Sequence, residues 1–103
     1  METISWEDRD GTRWIELEGE LDHEVCAELR QRLDELTDGA EGDVVLVLAG
    51  VGFMGSMAIG VLLNQHSKLQ EQGRALRLTG IRPVIRSVLD SMHLLTVFLE
   101  VES

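Results

Sequence analysis

Val44-Val45-Leu46-Val47-Leu48-Ala49 decides the fold. These six apolar residues run without alternation, the pattern of a strand covered on both faces. Such a strand needs helices around it, which points to an α/β domain. Downstream, Gly50, Gly52 and Gly55 read as a loop leading into a helix. That helix opens at Ser56, a good N-cap, and runs to about residue 72, where Gly73 stops it. Residues 75–79 form the next strand, with Leu76 and Leu78 on one face. Pro83 suits the first position of a third helix, carried by Val84, Ile85, Val88, Leu89 and Met92. Val97, Leu99 and Val101 suggest a last strand.

Upstream, residues 4–6 form a short alternating strand, followed by Asp10-Gly11, a strong hairpin signal. Beyond it Ile15, Leu17 and Leu21 take one face of a second strand, and Glu16, Glu18 and Glu20 the other. Asp22 then reads as a helix N-cap, with Glu24 favoured in the first turn by the helix dipole. Val25, Leu29, Leu33 and Leu36 make one apolar stripe, and Gly39 and Gly42 close this helix. The predicted order is ββαβαβαβ: a mixed sheet with an N-terminal hairpin and about three covering helices.

The chain has 103 residues, 44% apolar and 27% charged, which fits one globular domain over residues 1–103. A disordered tail, a fibrous repeat and a disulfide-built mini-protein are excluded. No apolar run approaches the roughly 20 residues of a membrane helix, and no basic-then-apolar leader opens the chain, so membrane insertion is not expected. A single cysteine, Cys26, cannot bridge internally, which makes a reducing, cytoplasmic address the expectation. His23, His66 and His93 stand far apart, away from any Cys or carboxylate at ligand spacing, so no metal site is expected.

The net charge of −10 is unevenly placed. Residues 1–43 hold fifteen acids against four bases, while residues 44–103 are nearly balanced. Phosphate backbones repel such a chain, so nucleic acid is not an expected partner. The second half, with Lys68, Arg74, Arg77, Arg82 and Arg86, is only locally basic.

Gly50-Val51-Gly52-Phe53-Met54-Gly55 has the literal form G-x-G-x-x-G between a strand and a helix, where a pyrophosphate could lie on the helix N-terminus. A dinucleotide fold needs an acidic ribose reader at the end of the next strand, and here that strand ends Leu78-Thr79-Gly80. The fingerprint also follows the first strand of its unit, whereas a hairpin and a helix precede it here. The glycines therefore read as a tight turn, and no cofactor is expected. Ser56, at a helix N-terminus, can be a simple cap or an acceptor for a phosphate that the free N–H groups would stabilise. No His/Asp arrangement would activate it as a hydrolase nucleophile, and G-x-S-x-G is absent.

Two segments together resemble a known family. Leu17-Glu18-Gly19-Glu20-Leu21-Asp22-His23 resembles the L-x-G-E-L-D segment of STAS domains, the anti-sigma factor antagonist family. Phe53-Met54-Gly55-Ser56-Met57-Ala58-Ile59-Gly60-Val61 is similar to that family's F-M-D-S-S-G-L-G-V, and Ile81-Arg82-Pro83-Val84-Ile85-Arg86, on to Leu94, to its third helix. The resemblance covers residues 4–98. It implies a STAS-type fold and a small bacterial cytoplasmic binding module of transcription regulation, not an enzyme.

Antagonist-type members bind an anti-sigma factor that is also a serine kinase, and so release the sigma factor. The kinase phosphorylates a serine at the start of the second helix, which blocks binding, and a phosphatase restores it. That serine aligns with Ser56, and the aspartate of the first segment with Asp22. The family's Asp before the serine is Gly55 here, its second Ser is Met57 and its Gly is Ala58. Losing that carboxylate removes a like charge beside a phosphate, and equally a feature a kinase can recognise. Met54 and Met57 would leave a soft apolar rim around Ser56, suited to a protein partner, unless Met57 turns inward as core. The implied partner-binding surface is Asp22, Met54, Gly55, Ser56 and Met57. The alternative implied by the same resemblance is a STAS subunit or scaffold that is never phosphorylated, docked on a transporter ATPase or in a stressosome-like complex.

Overall fold

Asp10 and Gly11 both adopt positive φ, 52° and 83°, as a two-residue primed turn requires. They join β1 (Thr3–Arg9) to β2 (Thr12–Leu21), with Arg9 opposite Thr12. The computed structural model describes residues 3–101. After β2, Asp22 accepts a hydrogen bond at Oδ1 from the Glu24 N–H (3.1 Å) and opens a single 3-10 turn, His23–Val25. That turn feeds α1 (Cys26–Asp38), whose Leu29, Leu33 and Leu36 point into the core. There follow β3 (Val44–Met54), α2 (Ser56–Glu71), β4 (Leu76–Thr79), α3 (Pro83–Ser91) and β5 (Leu99–Glu100). The order ββαβαβαβ is the predicted one.

The five strands lie side by side in chain order, β1 and β2 antiparallel and every later pair parallel. Each parallel step returns through a helix in the same direction, and right-handed crossovers then put all three helices on one face. Their buried side chains join one cluster with Ile15, Leu17, Leu46, Leu48, Leu76 and Leu78. Val45 is buried outside that cluster, on the other face, flanked across the strands by Trp14 and Arg77. Val47, beside it, is half-buried. The central strand is thus covered in two ways: helices lie over one face, and neighbouring strands flank the other.

Three boundaries also differ from the sequence reading. The glycine segment is not a loop: β3 continues through Gly50 and Gly52 to Met54, paired with β2 across two irregularities of register. Gly19, at φ 105°, sits at the second of these. The bulge lets Leu21 meet Met54 at the strand ends. The last strand is shorter than predicted. Val97 lies in a turn, and Val101 follows β5 while its N–H still donates to the Leu78 carbonyl (2.8 Å). The side chains of Leu99 and Glu100 fall outside the described residues.

A polar clamp fixes α1 to α2. Gln65, 1% exposed, accepts from the Thr37 hydroxyl (3.0 Å) and donates to Asp34 Oδ1 (2.6 Å). Lys68 Nζ reaches Asp34 (3.0 Å) and Asp38 (3.1 Å). The Gln65 bond, then Lys68, hold the Asp34 carboxyl below the usual carboxylate range. Burial alone would lower the Lys68 pKa, but its bonds to Asp34 and Asp38 outweigh burial and raise it. A depressed carboxyl stabilises the fold above about pH 4 and loses that contribution as pH falls through its folded pKa. The raised lysine contributes below about pH 10.5 and is lost at higher pH. The clamp is therefore complete between about pH 5 and 10. In thermal melts from pH 7 to 2, Asp34→Asn should start lower at pH 7 and fall less steeply below pH 4. Parallel curves for variant and wild type would remove Asp34 from the acid response.

Candidate functional site

The parallel ends of β2 and β3 meet where Leu21 lies opposite Met54 and its carbonyl accepts from the Gly55 N–H (3.0 Å). That bond brings the first residues after β2 beside the first turn of α2. A cavity of about 400 Å³ opens there, lined by Asp22, His23, Phe53, Gly55, Ser56 and Met57. Four of the five predicted partner-binding residues, Asp22, Gly55, Ser56 and Met57, thus come together.

Met54 does not join them. It is 3% exposed and belongs to the core, so the expected rim of two methionines is corrected. Strand geometry is the cause: with β3 extended to residue 54, successive side chains alternate, and Met54 follows Leu21 inward. Phe53 faces the other way, opposite Glu20, and is 48% exposed. Met57 turns outward at 59% exposed, which settles its two options. Phe53 and His23 are the lining residues that the sequence reading missed. Both sit inside the quoted motifs, and the period-2 parity of a longer β3 would have exposed Phe53.

Ser56 is the first residue of α2, not its cap. The cap is Gly55, with φ −80° and ψ 170°, and it offers no side-chain hydrogen bond. The first helical bond is Ile59 N–H to Gly55 C=O (3.1 Å), so the N–H groups of Ser56, Met57 and Ala58 have no helical acceptor. No acidic residue stands in that first turn. The Ser56 hydroxyl is exposed and bonds no described residue. Three free donors at the positive end of a 16-residue helix can hold a dianion on that hydroxyl. Asp22 is committed differently, since one carboxylate oxygen caps the 3-10 turn while the group lines the cavity as the one acid among its lining residues. Behind it the Cys26 thiol, pushed up by burial and then by the Asp22 charge, donates to the Asp22 carbonyl (3.2 Å).

Gly50 and Gly52 of the G-x-G-x-x-G string lie in β3, Gly50 opposite Glu18, and Gly55 caps α2, which leaves no glycine loop between strand and helix. Among the described residues, no three His, Cys, Asp or Glu side chains gather where they could hold a metal ion.

Fold, strand order and serine position together define a STAS domain. Residues 3–103 match the STAS domain family, and the chain belongs to it. An anti-sigma F factor antagonist from Paenibacillus polymyxa is 27% identical over 95 residues, 91% of this chain and 81% of that protein. Among solved structures, an anti-sigma factor antagonist from Mycobacterium paratuberculosis superposes with a TM-score of 0.86 at 23% identity, over 95% of this chain and 83% of that one. The Bacillus cell fate determinant SpoIIAA in its phosphorylated form gives 0.74 at 22% identity, over 98% of this chain and 91% of that one. No helix among the described residues is long and apolar enough to cross a membrane.

Proposed function

We propose that this chain is an anti-sigma factor antagonist: a non-enzymatic cytoplasmic switch that binds an anti-sigma factor with serine kinase activity and is released by phosphorylation of Ser56. The observation that carries the reading is Ser56 itself, exposed, unbonded and set on an uncapped helix end between Phe53 and Met57. Two exposed apolar side chains flanking a modifiable hydroxyl suit a protein surface better than a small substrate. The phosphorylated state of a structural neighbour supports the same reading. A phosphate there is stabilised by α2 from within, while its charge of about −1.5 to −2 faces whatever docks on Phe53 and Met57.

The test uses the purified kinase-type anti-sigma factor of the same genome, with and without ATP. Wild type should bind it and gain one phosphate, and Ser56→Ala should bind and gain none. Phe53→Ala should weaken binding at least tenfold while melting like wild type. Tight binding without phosphate transfer to wild type would overturn the switch and favour the unmodified STAS scaffold or transporter-bound subunit, for which Gly55 and Met57 give a motive. No binding at all would overturn the antagonist reading.

A further inference from the structure

Gly60 stands in the interior of α2, exposed, where glycine is destabilising against alanine. A Cβ at Gly60 would meet nothing within 4 Å. Nothing inside the chain therefore requires the position to be bare. It lies on the wall of a groove of about 380 Å³ between α1 and α2, with Cys26, Ala27, Arg30, Met57 and Val61 among its other lining residues. Met57 lines both this groove and the cavity beside Ser56, so the two form one continuous surface.

The groove holds a cation, Arg30, that no carboxylate among the described residues bonds directly. In a protein of net charge −10, Arg9, Arg13, Arg32, Lys68 and Arg77 each reach a carboxylate within 4 Å. Arg30 makes no hydrogen bond or ion pair among the described residues and acts on Asp34 only through space. An apolar floor, small residues on the walls and an unpaired guanidinium define a complement: an apolar side chain followed by a carboxylate. A second copy of this chain fits poorly, since pairing would bring two chains of charge −10 together.

We propose that the α1–α2 groove is a second seat for the protein partner of the Ser56 face, taking an apolar segment of that partner whose carboxylate pairs with Arg30. Gly60 is bare so that this segment can enter. The inference rests on the antagonist reading above and extends its footprint along α2.

The experiment measures melting temperature, mass by light scattering, and affinity for the purified kinase-type anti-sigma factor. The proteins are wild type, Gly60→Ala, Gly60→Leu and Arg30→Glu. Gly60→Ala should melt at or above the wild-type temperature. Gly60→Leu should stay folded and bind at least tenfold more weakly. Arg30→Glu should weaken binding by a similar factor, with Arg30→Lys recovering part of it. If wild type binds and both Gly60→Leu and Arg30→Glu bind within twofold of it, the groove is not a seat, while the Ser56 face stands. If wild type does not bind, the proposal and the reading beneath it fall together. A wild-type dimer that Gly60→Leu splits would make a second copy the occupant and overturn the proposal.

Discussion

Leu46→Ala should lower the free energy of unfolding by about 3–5 kcal/mol, against the 5–15 kcal/mol that holds a domain of this size together. Leu46 is fully buried at the centre of β3, directly between Ile15 on β2 and Leu78 on β4, themselves fully buried. Truncation removes the transfer energy of the lost atoms and leaves a cavity that three hydrogen-bonded strands and their overlying helices cannot easily collapse. Val47→Ala, one residue on, is the control. Its side chain is half-buried on the helix-free face, between Glu16 and Thr79, and its loss should cost about 1 kcal/mol or less. Urea unfolding of the three proteins measures both, and a Leu46→Ala midpoint within error of wild type would contradict the central-strand placement.

Leu46 and Val47 also mark what the sequence could say. An unbroken apolar run announces a central strand here because it is short, holds Val44, Val45 and Val47, and is flanked by Gly42 and Gly50; a buried helix would run longer. It does not say what covers each face. Val45 is buried between Trp14 and Arg77, a pairing set by strand register and invisible along the chain. Asp10-Gly11 was legible because a two-residue turn with both residues at positive φ depends on local chemistry alone. Gly42 looked like a helix stop. Its further constraint is tertiary, since a Cβ there would run into the Gly11 carbonyl of the hairpin turn.

The glycines before Ser56 misled for the same reason. Local propensity reads Gly50, Gly52 and Gly55 as loop, yet pairing with β2 keeps the first two in a strand and moves Met54 inside. Asp22, Gly55, Ser56 and Met57 still met, because the meeting depends only on β2 and β3 ending together. Phe53 escaped because its exposure follows from one residue's parity in a strand that seemed to have stopped.

Phosphorylated Ser56 should leave the fold as stable as before, or raise its melting temperature by up to about 8 °C, while weakening the anti-sigma factor complex at least tenfold. The two effects separate because they arise on opposite sides of the phosphate. Inward, the unpaired N–H groups of Ser56, Met57 and Ala58 and the positive end of α2 stabilise a negative group by about 0.3–1 kcal/mol. At roughly 4–8 °C per kcal/mol for a domain near 100 residues, that is a shift of a few degrees. Outward, the added charge joins that of Asp22 in the same cavity and faces a partner seated on Phe53 and Met57. Ser56→Asp should imitate the loss of binding in part, having one charge and a shorter reach. Gly55→Asp isolates the inward half. Its backbone at φ −80° suits any residue, and a Cβ there meets only ordinary contacts with the Phe53 ring (3.5 Å) and the Leu21 carbonyl (3.7 Å). An aspartate in that cap should bond the same N–H groups and raise the melting temperature itself. Phosphorylation in that background should then give no further rise. Scanning calorimetry of the modified and unmodified forms of both proteins reads the stability half, and titration calorimetry with the anti-sigma factor reads the other. A phosphoprotein that melts several degrees lower would mean that α2 does not hold the phosphate. One that binds as tightly as the unmodified chain would mean that the partner does not sit over Ser56.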